Sequence, residues 1–270
     1  MGLASAGSLL GLRQCRYESV SDIQVGLSSE RPIKDRVKVA YTILAEQGCC
    51  GPSEDSKLKN RGYTPEELIG LPESVLAMSD GCGNPTALGA MREGDTVLDL
   101  GSGGGIDVFL AARKVGPTGR VIGLDMTPRM IENAQANLAR LGLVNVEFKL
   151  GEIEHIPLAP DSVDILMSNC VICLSPDKDQ VFREMFRVLR PGGRLAIADE
   201  VALKPFSSEE RADPEKWCEC VTGAVTQADY SNMLRQVGFE NVYVKQIHRT
   251  MESDSGVFSA FISGAKPLRL

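Results

Sequence analysis

No apolar stretch of this sequence is long enough to cross a membrane, and no apolar segment with a cleavage site marks a signal peptide. Basic runs are lacking too, and a net charge of −7 argues against nucleic acid as a partner. Residues 1–17 contain no acid and carry Arg13 and Arg16, but they are expected to be a disordered tail rather than a targeting segment. The myristoylation pattern fails because Ala6 stands where Ser or Thr is required. The cytoplasm is the expected location. Histidine is scarce: only His155 and His248 occur, and both read as surface or packing residues.

What the chain has is apolar mass and thiols. Its 270 residues are 43% hydrophobic, ample for a core. Eight cysteines, at 15, 49, 50, 82, 170, 173, 218 and 220, are many without an export signal. They are expected to rest reduced, which turns attention from a disulfide framework to soft-metal binding or redox chemistry.

The stretch from Thr96 to Ala112 organises the rest. An apolar run ending in Asp99-Leu100 breaks on Gly101-Ser102-Gly103-Gly104-Gly105 and resumes at helical spacing, the pattern of strand, tight turn and helix. The dinucleotide spacing G-x-G-x-x-G needs glycine at 106 and meets Ile106. What fits is an acid at 99 with glycines at 101, 103 and 105. A second acid, Asp125, ends the next apolar run, where a ribose diol would accept a carboxylate. This arrangement resembles the first motif of class I S-adenosylmethionine methyltransferases. Their cofactor carries an α-ammonium and a carboxylate but no pyrophosphate, so an acid beside a glycine turn suits it.

Elsewhere, Ile33 to Gln47 reads as a helix that stops ahead of Cys49-Cys50. Ser53 to Arg61 reads as a charged loop, Thr64-Pro65-Glu66-Glu67 as a helix start, and Pro85 to Met91 as a helix. Strands are expected over 120–125, 144–150, 163–168 and 194–199, with helices over 128–141 and 177–189. Pro205 to Pro214 reads as a loop and Ala228 to Val237 as a helix. Residues 242–247 and 258–263 read as closing strands, antiparallel in part.

The alternation predicts an α/β, Rossmann-like, doubly wound and mostly parallel sheet with an N-terminal helical segment and a C-terminal substrate-binding extension. Residues 1–30 form the tail, 31–200 the helices and cofactor-binding part, and 201–270 the portion that completes the sheet. Ligands of such sheets lie at the carboxyl ends of the strands. The candidates there are Asp99, Gly101, Ser102, Gly103, Asp125, Met126, Glu152, Ile153 and Asn169, with Glu152 and its neighbouring backbone suited to an adenine ring.

Taken singly, a free cysteine reads as a small core residue, and Cys15 and Cys218 keep that reading. Cys49, Cys50, Cys82, Cys170 and Cys220 lie in polar or glycine-containing loops or at a strand end. The paired C-x2-C spacing of zinc ribbons is absent, and no metal cofactor is expected.

The motifs Gly48-Cys49-Cys50, Gly81-Cys82-Gly83-Asn84-Pro85, Gly123-Leu124-Asp125-Met126-Thr127, Ser168-Asn169-Cys170-Val171-Ile172 and Glu219-Cys220 closely resemble arsenite S-adenosylmethionine methyltransferases. The resemblance runs from Asp35 to Lys266. It implies methylation of trivalent arsenic in arsenic detoxification, with arsenite and methylated trivalent arsenicals as substrates and thioredoxin or glutathione as reductant. Cys170 and Cys220 would be the pair that holds arsenic(III), with Cys82 and one of Cys49 or Cys50 as additional thiols for binding or electron relay. Cys173 departs from the family pattern, which has asparagine there, and Cys218 is an extra thiol. Two other readings stay open: a small-molecule methyltransferase with structural cysteines, and a non-catalytic thiol-based metalloid binder.

Overall fold

A computed structural model of the chain describes residues 32–47, 55–248 and 255–268. The expected tail, Cys15, Cys49 and Cys50 lie outside the described residues. The strands are β1 (Thr96–Leu100), β2 (Arg120–Asp125), β3 (Val146–Leu150), β4 (Val163–Asn169), β5 (Leu189–Ala202), β6 (Glu240–His248) and β7 (Val257–Ala265). They form one seven-stranded sheet in the order β3-β2-β1-β4-β5-β7-β6. The first five run parallel, while β7 is antiparallel to both β5 and β6. The reversal from β1 outward to β2 and then back to β4 creates the crevice at which such sheets hold ligands.

Among the described residues, five helices of ten or more residues accompany the sheet: α1 (Ile33–Gln47), α2 (Ile106–Val115), α3 (Pro128–Leu141), α4 (Lys178–Val188) and α5 (Gln227–Gln236). The period of two along the strands decides which helix each side chain meets. Val97, Val121 and Ile165 pack against Val108, Ala111 and Val115 of α2 on one face. Leu98, Ile122 and Leu166 pack against Val181, Phe182 and Met185 of α4 and against Tyr230 and Leu234 of α5 on the other. Helix α1 packs on α3 and on the short helix Pro214–Cys218, so it spans the crevice. Val37, Leu44 and Ala45 anchor it, each large apolar side chain contributing roughly 1.5–3 kcal/mol by its burial.

Several local expectations are corrected. Within the expected loop Ser53 to Arg61, Asp55–Asn60 is helical because Leu58, the one apolar residue there, is drawn into the core beside Tyr63 and Phe109. Pro85 to Met91 yields only a 3-10 turn, Pro85–Ala87, as positive φ at Ala90 ends the helical path. The expected loop Pro205 to Pro214 contains the helix Ser208–Arg211, closed at its start by reciprocal Ser207 and Glu210 capping. That Ser-x-x-Glu spacing was present in the sequence. Strand β3 begins at Val146 rather than Val144, and β5 reaches back to Leu189 through an irregular register.

Candidate active site

The carboxyl ends of β1, β2 and β4 open into a cavity beneath α1. Its floor is the glycine turn. Gly101, Gly103 and Gly105 adopt φ of +70°, +50° and +95°, values a side chain resists. A Cβ at Gly103 would meet nothing within 4 Å, so its backbone borders open space, whereas one at Gly101 would collide with Val171. Asp125 ties the end of β2 to this turn, its Oδ2 accepting the Gly103 amide at 3.0 Å and its Oδ1 that of Thr127 at 2.8 Å. The Ser102 hydroxyl is buried in the lining and has no hydrogen-bond partner.

Three carboxylates converge on the cavity. Burial, reinforced by the charges of Asp107 and Asp125, pushes Asp99 well above the usual carboxylate range. Burial pushes Asp107 up to about 6, against the hydrogen bonds that favour its charge. Asp125 is also raised by burial, with the two amides opposing. Negative groups kept short of water favour a cationic ligand.

Met126, Ile153, Asn169 and Cys170 border the same cavity. Glu152 does not: its carboxylate pairs with Lys34 of α1 at 2.9 Å and is half exposed. The next acid, Glu154, lines the wall instead and accepts Ser175 Oγ–H at 2.6 Å. Asn169 serves as a bracket. Its Oδ1 accepts the Cys82 amide at 2.9 Å, and its Nδ2 donates to Asp107 Oδ2 at 3.0 Å and to the Gly83 carbonyl at 2.8 Å. Tyr63 donates to the other Asp107 oxygen at 2.8 Å. Sequence reasoning passed over both Asp107 and Tyr63. The acid in the first turn after the glycines was a usable signal, whereas nothing local marked Tyr63.

Behind Cys170 the thiols gather. Cys170, Cys173, Cys218 and Cys220 are all buried in one cluster with Val37, Leu174 and Trp217, and Cys82 packs against it. Cys170 and Cys220 both hold left-handed backbone, with φ of +56° and +64°, a conformation non-glycine residues keep only where the surroundings enforce it. The thiols of Cys170 and Cys173 and the hydroxyl of Tyr41 hydrogen-bond the Cys220 sulfur and hold its pKa well below the ordinary thiol range. The Cys170 carbonyl, 3.4 Å from that sulfur, favours the protonated form, but one carbonyl is outweighed by three donors. Hydrogen bonding to Cys220 and Cys82, then burial, pushes Cys170 up, and burial pushes Cys82 up to about 11 and Cys218 to about 12. Cys220 is therefore the most readily ionised thiol of the group. The sulfurs of Cys82 and Cys170 and a Glu200 carboxylate oxygen lie within 4.8 Å of one another.

The sheet order and the glycine turn with its acidic partners define a Rossmann-like methyltransferase domain, and a family model described as a methyltransferase domain matches residues 91–238, more than half of the chain. An arsenic(III) S-adenosylmethionine methyltransferase from Chlamydomonas reinhardtii has a similar structure, with a TM-score of 0.64 and 35% identity over 75% of this chain and 73% of its own. The chain belongs to the arsenite S-adenosylmethionine methyltransferase family. An arsenite methyltransferase of Halobacterium salinarum is 43% identical over 86% of this chain and 62% of its own length. That of Rattus norvegicus is 36% identical over 66% and 50%. The chain thus spans only part of the curated relatives it matches, 62% of one and 50% of the other.

Proposed function

We propose that this chain methylates trivalent arsenic, using S-adenosylmethionine as donor and cysteine thiolates to hold the acceptor. The observation that carries the reading is the position of Cys170. It lines the cavity of the glycine turn and at the same time hydrogen-bonds Cys220 in the thiol cluster. Donor site and thiols therefore share a wall.

The cavity fits the donor chemically. The orphaned Ser102 hydroxyl offers a hydrogen bond, Gly103 leaves room for close approach, and Asp99, Asp107 and Asp125 suit a cation. Asp125, with Met126 and Ile153, would hold the adenosine end, and Asp99, Gly101 and Ser102 the amino-acid end. When bound, S-adenosylmethionine supplies an electrophilic sulfonium methyl. The protein's task is then to bind and aim the acceptor. Cys220, the most acidic thiol, would capture arsenic first and Cys170 second, since soft thiolates suit this soft centre. Thiolate-bound arsenic keeps its lone pair, so no proton need be removed and no base is required. Catalysis would rest on proximity, with Val37 and Trp217 excluding water around the sulfurs.

Methylation raises arsenic to the pentavalent state. Two cysteines closing a disulfide would supply two electrons and return it to trivalent, after which thioredoxin or glutathione would restore the thiols. Cys82, and Cys49 or Cys50, are the thiols assigned to that relay. Residues through 200 would form the cofactor-binding part and residues 201–270 the part that contributes Cys220. Among the described residues no helix is long and apolar enough to cross a membrane, in keeping with a cytoplasmic detoxification role.

The test is to incubate the reduced protein with S-adenosylmethionine, a thiol reductant and arsenite and to separate the arsenic species by chromatography. Methylated arsenic is expected. Its absence, with the donor shown to bind, overturns the reading.

A further inference from the structure

Glu200 lies in β5, with its residue surface 8% exposed. Its cross-strand neighbour in β7 is Ser259, whose hydroxyl donates to Oε1 at 2.8 Å. Oε2 is buried and has no partner. An unpaired buried carboxylate oxygen is destabilising, and buried polar groups are otherwise almost always satisfied. A carboxylate oxygen of Glu200 stands in the wall of the thiol cluster, within 4.8 Å of the Cys82 and Cys170 sulfurs. A ligand that brings a hydrogen-bond donor to the sulfurs would satisfy it.

Trivalent arsenic in water is the trihydroxide. Each thiol that binds it forms one arsenic–sulfur bond and breaks one arsenic–oxygen bond, the thiol proton leaving with the hydroxide as water. Two thiols therefore leave one hydroxyl on arsenic. We infer that Glu200 is the oxygen-recognising arm of the arsenic site: it accepts a hydrogen bond from that hydroxyl, so the arsenite complex has two cysteine sulfurs and one oxygen. A third sulfur in that position would face the carboxylate without a donor, leaving Oε2 as unsatisfied as before. Cys82 then remains a free thiol, available for electron relay. Methylarsonous acid, which already carries one carbon, loses both hydroxyls to two thiols and brings nothing for Glu200 to hold. The arm would accordingly favour the unmethylated acceptor.

The inference rests on the arsenic-binding reading, and two measurements separate their failures. The first is arsenic X-ray absorption of the wild-type protein with arsenite, in buffer whose reductant is a phosphine rather than a thiol. Two sulfurs and one oxygen around arsenic are expected. Three sulfurs without oxygen overturn the role of Glu200 and leave arsenic binding intact, whereas no sulfur at all overturns both. The second is titration of fluorescence from Trp217, the only tryptophan, which packs in the thiol cluster. Glu200→Leu should weaken arsenite ~3- to 10-fold, the loss of one hydrogen bond, while methylarsonous acid changes less than about twofold. Glu200→Gln, which keeps an acceptor oxygen, should recover most of the arsenite affinity. Equal weakening of both arsenicals, or of neither, overturns the inference.

Discussion

Asn169 holds Cys82 from across the site: its Oδ1 accepts the Cys82 amide at 2.9 Å, and the next residue in the chain is Cys170. One side chain thus ties the Cys82 loop to the strand end that precedes Cys170, although the two come from distant parts of the sequence. Asn169→Ala is expected to release the Cys82 loop and the Asp107 oxygen together. Arsenic methylation should fall by about one to two orders of magnitude, an effect of ~1–3 kcal/mol for unsatisfied buried partners. Gly81→Ala should act similarly, because its Cβ would collide with the Asn169 side chain. Steady-state methylation with each variant, alongside donor binding, checks both.

The cysteines should separate into two groups. Cys170→Ser and Cys220→Ser should abolish arsenic methylation while leaving S-adenosylmethionine affinity within about threefold, since thiolate is the ligand and a hydroxyl does not replace it. Cys218→Ser should retain activity, because burial holds its thiol protonated, with a pKa pushed up to about 12. Cys173→Ala removes a hydrogen bond to the Cys220 sulfur and should move the alkylation pH profile of Cys220 upward. Iodoacetamide labelling of the reduced protein against pH, read by mass spectrometry, measures that shift.

Ser102→Ala should have opposite effects on the free and bound protein. The buried hydroxyl has no partner, so its removal should leave the free protein equally or more stable. If the hydroxyl bonds S-adenosylmethionine, the same substitution should weaken donor binding by about 0.5–1.5 kcal/mol. Denaturant melts and calorimetric titration would show the reversal, and a loss in both quantities would refute it.

The acids around the cavity set a pH dependence whose sign can be worked out. In the folded chain Asp107 titrates near about 6 rather than at 3.8, so the folded state holds a proton that the unfolded state has released. Its contribution to stability is complete below the unfolded value and is lost as pH rises through about 6. A cationic ligand reverses this by favouring the ionised form. The rise in Tm produced by S-adenosylmethionine should therefore be larger at about pH 7.5 than at about pH 5.5. S-adenosylhomocysteine, which lacks the sulfonium charge, should show a smaller difference, and an equal one would count against the carboxylates.

Local chemistry was legible wherever a pattern closed over a few residues. Glycines that need left-handed dihedrals, an acid ending each of β1 and β2, and the periodicity of α1 and α3 all follow from neighbours in the chain. These were enough to derive the strand–turn–helix and the parallel sheet, whereas the likeness to arsenite methyltransferases rested on the motifs around Cys49, Cys82, Cys170 and Cys220. Burial overrode the pattern at Leu58, where a charged segment became helix. Glu152, read as an adenine ligand, forms an ion pair with Lys34, a residue more than a hundred positions earlier.

By itself, then, the sequence determined the turn that suits a methyl donor and the residue types that suit a soft acceptor, because both are set by backbone sterics and side-chain chemistry. The tertiary structure decided which thiols lie together. Sheet order and helix packing bring Cys170, Cys173 and Cys220 into one buried cluster with Cys82 packed against it, enforce left-handed backbone at Cys170 and Cys220 and lower the pKa of Cys220 through its neighbours. The same packing sets Glu200 against the Cys82 and Cys170 sulfurs and Asn169 against the Cys82 amide. Such placements depend on contacts between segments far apart in the chain, where hydrogen bonding and desolvation act through space and leave no local pattern to read.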